Sequence, residues 1–123
     1  MNDFNFKNYR FEDLEVWQKS LQLSIELFKL LKETNYYSLK DQIQRSSTSI
    51  PSNIAEGFER TNKEFIHFLM IAKGSCSELR TQLIIAHEIN ILSKEVAMEL
   101  IEKTKHISGM LQNLINYRRK LNV

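Results

Sequence analysis

Residues 39–58 read LKDQIQRSSTSIPSNIAEGF, and one apolar arc runs through the whole segment. The side chains on this arc, placed at about 100° per residue, are Leu39, Ile43, Ile50, Ile54 and Phe58. The arc continues across Pro51, which lacks a backbone donor and clashes with the carbonyl four residues earlier. One helix kinked at Pro51 or two helices joined by a loop would both satisfy this pattern. Because Ile50 would be a poor N-cap for a second helix, the pattern favours the kink.

Apolar periodicity elsewhere predicts four helices, at about residues 12–32, 39–59, 62–90 and 94–121. Helix N-caps are predicted at three places, namely Ser38 with Asp41, Thr61 with Glu64 as a capping box, and Ser93. Short connections between long helices favour antiparallel neighbours. The predicted fold is all-α, an antiparallel up-down-up-down four-helix bundle.

The first and third predicted helices carry apolar residues around most of their circumference. In the first, one helical face carries Leu14, Trp17, Leu21, Ile25, Phe28 and Leu31, and Val16, Leu23, Leu27 and Leu30 lie outside it, so we expect this helix to contact two layers. In the third, the core arc is Phe65, Phe68, Leu69, Ala72, Cys76, Leu79, Leu83 and Ala86, and further apolar residues are Ile66, Met70, Ile71, Ile84, Ile85 and Ile89. Since one bundle covers only one side of each helix, the pattern predicts a homo-oligomer.

Length and composition narrow the class of protein. The 123 residues suit a single domain spanning 1–123, and three Gly and one Pro are too few for the turns of an all-β fold. Seventeen Lys and Arg against 15 Asp and Glu give a net charge of only +2. The lone Cys76 suits a reducing compartment, and the first residues lack the pattern of an export signal. We therefore expect a cytoplasmic protein without a membrane partner.

Three stretches of the chain resemble the bacterial family of 23S ribosomal RNA intervening-sequence proteins. They are DQIQRSSTSIPSNIAEG at 41–57, FIHFLMIAKGS at 65–75 and FEDLEVW at 11–17. The resemblance implies a left-handed four-helix bundle that forms a ring-like homopentamer, a connection with RNA and no established catalytic activity. The same fold occurs in the accessory variability determinant protein of diversity-generating retroelements, which is thought to bind nucleic acid and reverse transcriptase. A scaffold or accessory role for another protein, such as a reverse transcriptase, is the alternative.

The fourth helix supplies the candidate nucleic-acid-binding residues, namely Lys94, Lys105, Arg118, Arg119 and Lys120. Lys94, Lys105 and Arg119 fall on one stripe that could meet successive phosphates. Basic residues also occur on ordinary solvated faces and complement the dipole at a helix C-terminus, so both interpretations stay open.

A polar row on the second helix comprises Arg45, Ser49, Ser52 and Glu56. It is either a solvated face or, as the resemblance favours, a polar seam between subunits in which Arg45 pairs with Glu56 or Glu78.

Two spacings are reminiscent of enzyme sites. Glu64 and His67 have the spacing of a ferritin-like metal pair, but such a site needs further ligands. Arg80 and His87 have a spacing reminiscent of helical ribonucleases, and nuclease activity is a remote alternative. We expect no catalytic residues, no metal site and no cofactor.

Overall fold

The computed structural model describes residues 10–121. A short 3-10 turn at Phe11–Asp13 precedes four helices: α1 at Glu15–Leu30, α2 at Tyr37–Phe58, α3 at Asn62–Glu88 and α4 at Lys94–Arg119. This part of the chain contains no strand. The predicted all-α four-helix bundle is therefore confirmed.

The helices pack around one apolar core in a defined order. α2 packs against α1 and α3, α3 packs against α4, and α1 meets α4 at fewer positions. Within residues 10–121, α1 and α3 share no helix contact, so they occupy opposite corners of the bundle. The largest fully buried apolar side chains are Leu27, Ile43, Ile50, Ile54, Phe65, Leu69, Leu79, Leu83, Leu100, Leu111 and Ile115.

Two of the three predicted helix caps are present. The hydroxyl of Thr61 accepts from the amide of Glu64 in a complete capping box, and Ser93 accepts from the amide of Val96. The third prediction is wrong: α2 starts at Tyr37, and Ser38 lies inside it. The reason is a tight turn in which the amide of Tyr37 donates to the carbonyl of Asn35 at 2.9 Å, so the helix begins before the serine can cap it.

The α2 helix passes through Pro51 without interruption, which excludes the arrangement of two helices and a loop. Pro51 is buried, and α2 turns its apolar arc toward the core on both sides of it. The kink at Pro51 stays a prediction.

The two apolar sides of α1 are buried to different extents. Ile25 and Phe28 are exposed, whereas Val16, Leu23 and Leu27 are buried. The small residues of α1 explain which of its sides faces the core. Ser20 and Ser24 are buried, and the Ser24 hydroxyl lies 3.2 Å from that of Ser47 on α2. Since small side chains let two helices approach closely, the serine side of α1 faces the bundle and the side with Ile25 and Phe28 faces outward.

Polar and small residues also join α2 to α3. The hydroxyl of Ser46 donates to Oε1 of Gln82 at 2.6 Å, and the hydroxyls of Ser49 and Ser75 lie 2.8 Å apart. Gly57 is buried, and a Cβ there would lie 2.5 Å from the Cβ of Phe68. These contacts fix the register of the two helices.

Candidate nucleic-acid interface

A groove on the outer side of the α3–α4 contact is lined by two basic side chains and by no acidic one. Its volume is about 240 Å³, and it is lined by Met70, Lys73, Gly74, Ser77, Gln112, Ile115 and Arg119. The guanidinium of Arg119 donates to Sδ of Met70 at 3.8 Å, which places it over the groove. Ammonium, guanidinium, amide and hydroxyl donors are the groups that bind phosphate oxygens, so this lining suits a phosphate backbone.

The other basic residues of α4 extend along the same helix. Lys94 begins the helix and Lys120 caps its end, about 39 Å apart at 1.5 Å per residue. Lys105 lies between them and pairs with Glu102 at 3.6 Å. All three side chains are exposed. The stripe predicted from the sequence therefore lies on the surface, although Lys105 already has a carboxylate neighbour.

Arg118 is placed differently from the other four predicted residues. Its guanidinium carbon lies 4.7 Å from the centroid of the Phe65 ring, and its Nη1 donates to Oδ1 of Asn62 at 3.1 Å. The amide nitrogen of Asn62 donates in turn to the Arg118 carbonyl at 3.0 Å. Arg118 therefore joins the end of α4 to the start of α3, and we assign it to packing.

Lys73 is the groove residue that the sequence analysis missed. It lies on α3, whereas the predicted stripe was confined to α4. No spacing along the chain relates Lys73 to Arg119, because the two meet only through the packing of α3 against α4.

The polar row of α2 does not make the predicted pairs within the chain. Nε of Arg45 pairs with Asp41 at 3.1 Å, and Glu56 pairs with Arg60 at 3.0 Å. Each of these partners lies one helical turn away. Asp41 is therefore nearer to Arg45 along the helix than either of its predicted partners, Glu56 and Glu78. Ser49 contacts Ser75, while Ser52 and the predicted acid Glu78 are exposed. Contacts of this row with a second subunit stay a prediction.

Two of the side chains singled out as possible enzyme residues, Glu64 and His87, have structural partners. Glu64 belongs to the capping box, where hydrogen bonds from the hydroxyl and the amide of Thr61 lower its carboxyl pKa. Nδ1 of His87 lies 3.2 Å from the carbonyl of Leu92. Burial raises the pKa of the Cys76 thiol to about 12, so little thiolate forms near neutral pH. Residues 10–121 contain no group of three or more His, Cys, Asp or Glu placed to hold a metal ion.

Large apolar side chains remain exposed in the single chain, and most of them lie on α1 and α3 or at the end of α3. Those on α1 and α3 include Ile25, Phe28, Leu30, Met70, Ile71, Ile84, Ile85 and Ile89. Within residues 10–121, no helix is both long and apolar enough to span a membrane.

Fold and surface together define a small helical-bundle protein with a basic groove and apolar outer faces. The model of the 23S rRNA-intervening sequence protein family matches residues 12–113, and the chain belongs to that family. It is also similar to a crystal structure from Bacteroides thetaiotaomicron, described as a protein of unknown function from the S23 ribosomal protein family. That similarity has a TM-score of 0.76 at 27% identity and covers 81% of this chain and 97% of the other. A comparison with curated proteins gave no match.

Proposed function

We propose that this protein is a cytoplasmic, non-enzymatic bundle that assembles with copies of itself and binds RNA along the α3–α4 groove. The observation that carries RNA binding is the lining of that groove. Lys73 and Arg119 lie on it, and neither forms an ion pair with another of the residues 10–121. Phosphate would supply the missing counter-charge. The family name, which refers to ribosomal RNA, agrees with this choice of nucleic acid.

Self-assembly is supported by the exposed apolar residues of α1 and α3. The resemblance described above implies a homopentameric ring, which would repeat the groove five times. Weak contacts with one RNA molecule would then act together, because later contacts form at a high effective concentration.

The bundle geometry in this proposal is antiparallel. Two hydroxyl contacts support it: Ser46 of α2 meets Gln82, whereas Ser49 meets Ser75. Residue numbers that rise along α2 therefore fall along the facing side of α3.

The test is binding of structured RNA by the purified protein over a range of salt concentrations. We expect log affinity to fall linearly with log salt. Lys73→Glu and Arg119→Glu should each weaken binding and reduce that slope by about one. Lys40→Glu is the matched control, since Lys40 contacts the carbonyl of Lys32 at the end of α1. Absence of RNA binding at low salt, or an equal loss in the control, would overturn the proposal.

A scaffold role is the second candidate, and an open groove between α1 and α4 favours it. The groove has a volume of about 440 Å³, with Leu23 and Ile107 among its lining residues. Nζ of Lys103 on α4 donates to Oε1 of Glu26 on α1 at 2.9 Å, and that hydrogen bond raises the pKa of Lys103. The remaining lining residues are charged or polar, so a protein partner, for example a polymerase, would meet both apolar and charged side chains in this groove. Binding to a purified polymerase that persists at high salt, without RNA binding, would favour the scaffold.

A further inference from the structure

Two exposed apolar faces of the bundle carry opposite charge. The α1 face consists of Leu21, Ile25, Phe28, Lys29 and Lys32. The α3 face consists of Ile71, Glu78, Ile85 and Ile89. Ile25 is 45% exposed and Ile85 is 43% exposed in the single chain. Because α1 and α3 occupy opposite corners, one molecule cannot cover its α1 face with its own α3 face.

The residue spacing on both faces is that of helices which pack side by side. On α1, Leu21, Ile25 and Phe28 follow one another at intervals of four and three residues, and Lys32 lies in the turn just after the helix. On α3, Ile71, Glu78 and Ile85 are each seven residues apart, and Ile89 is the C-cap residue that follows. Such intervals keep a seam of side chains on one side of a helix over several turns.

The charges on the two faces are complementary. Lys29 and Lys32 of the α1 face are exposed, and neither pairs with an acid among residues 10–121. Glu26, the acid nearest to them on α1, is bound by Lys103 of α4. On the α3 face, Glu78 is exposed and has no basic partner in the same part of the chain. Opposite charges around apolar centres favour contact between unlike faces and disfavour contact between like faces.

We propose that the α1 face of one copy docks on the α3 face of a second copy. This inference rests on the proposed self-assembly and names the surfaces that perform it. A contact between unlike faces is heterologous, so one copy of a bound pair keeps its α3 face free and the other keeps its α1 face free. Growth continues until a ring closes, whereas a contact between like faces would stop at two copies.

The test uses two variants that each disable one face. Ile25→Glu places a carboxylate on the α1 face, and Ile85→Glu places one on the α3 face. Both sites are already exposed, so the fold should persist, and circular dichroism checks this. Alone, each variant should be monomeric in light scattering at concentrations where the wild type assembles, with affinity weakened at least about tenfold. Mixed, they should form a complex of two copies, since each variant retains the face that the other lacks.

Ile84→Glu is the matched control. Ile84 is 48% exposed and lies beside Ile85 in sequence, but it points about 100° away around the helix. We expect this variant to assemble like the wild type.

Each of the remaining outcomes of this test would overturn a specific part of the proposal. A monomeric wild type would overturn self-assembly itself. An assembling wild type whose assembly survives both Ile25→Glu and Ile85→Glu would overturn the choice of faces while leaving self-assembly in place. Loss of assembly in one variant alone would indicate a contact between like faces, and loss in Ile84→Glu would show that the α3 contact is centred elsewhere.

Discussion

The guanidinium of Arg118 lies over the Phe65 ring, with 4.7 Å between its central carbon and the ring centroid. Together with the hydrogen bond to Asn62 at 3.1 Å, this contact fastens the last turn of α4 to the first turn of α3. Arg118→Ala removes both interactions, and we expect it to lower the free energy of unfolding by about 1–2 kcal/mol. Urea denaturation measures the change. Arg119→Ala, a neighbour without these contacts, should change stability by less than about 0.5 kcal/mol. Equal effects would contradict the packing role of Arg118.

The glycines of α2 and α3 should respond to alanine with opposite signs. A methyl group on Gly57 would lie 2.5 Å from Cβ of Phe68, so Gly57→Ala should destabilise the protein by about 1–3 kcal/mol through overpacking. A methyl group on Gly74 would have no neighbouring atom within 4 Å, and alanine favours a helix over glycine. Gly74→Ala should therefore stabilise by about 0.5–1 kcal/mol. Thermal melts of both variants check the prediction, which a loss of stability in Gly74→Ala would contradict.

The buried hydrogen bond between Ser46 and Gln82 is 2.6 Å long, and it should make the stability costs of replacing its two side chains non-additive. Ser46→Ala leaves Oε1 of Gln82 without this donor, which predicts a loss of about 1–3 kcal/mol. The double variant Ser46→Ala with Gln82→Met leaves neither polar group, so its cost should be smaller than the sum of the single costs. Chemical denaturation of the three variants gives the coupling. Strict additivity would show that the two side chains do not depend on each other.

Acid sensitivity should include a contribution from Glu64. Hydrogen bonds from Thr61 hold the pKa of this carboxyl below its ordinary value of 4.5. The folded state therefore favours the carboxylate. The resulting stability is fully present above the ordinary value and is lost as pH falls through the lowered pKa. Glu64→Gln should flatten the decline of melting temperature over that acid range. An unchanged pH profile in this variant would contradict the assignment.

The sequence predicted the helices well because each carries a long apolar period. The arc of α2 and the core arc of α3 supplied buried residues such as Ile43 and Leu83. Periodicity did not decide which side of α1 faces the core, because both sides are apolar. The choice between them depended on how closely α1 approaches α2, and Ser24 against Ser47 settles that only in three dimensions.

The candidate site was predicted only in part, for a related reason. A stripe on one helix can be predicted from spacing, and of that stripe Arg119 lines the groove. Lys73 belongs to another helix, so its place beside Arg119 depends on the α3–α4 packing. Arg118 looked like its basic neighbours in the sequence, and only the ring of Phe65 distinguishes it.

Because the groove between α1 and α4 is open, α1 is packed less tightly into the bundle than the other helices. α1 is held mainly by α2, so its detachment should need less free energy than opening of the whole bundle. Backbone amides of Leu23 and Leu27 should then exchange with deuterium sooner than those of Leu79 and Leu83. A neighbouring copy docked on α1 would slow the earlier exchange, and hydrogen exchange measured at two protein concentrations would reveal that protection.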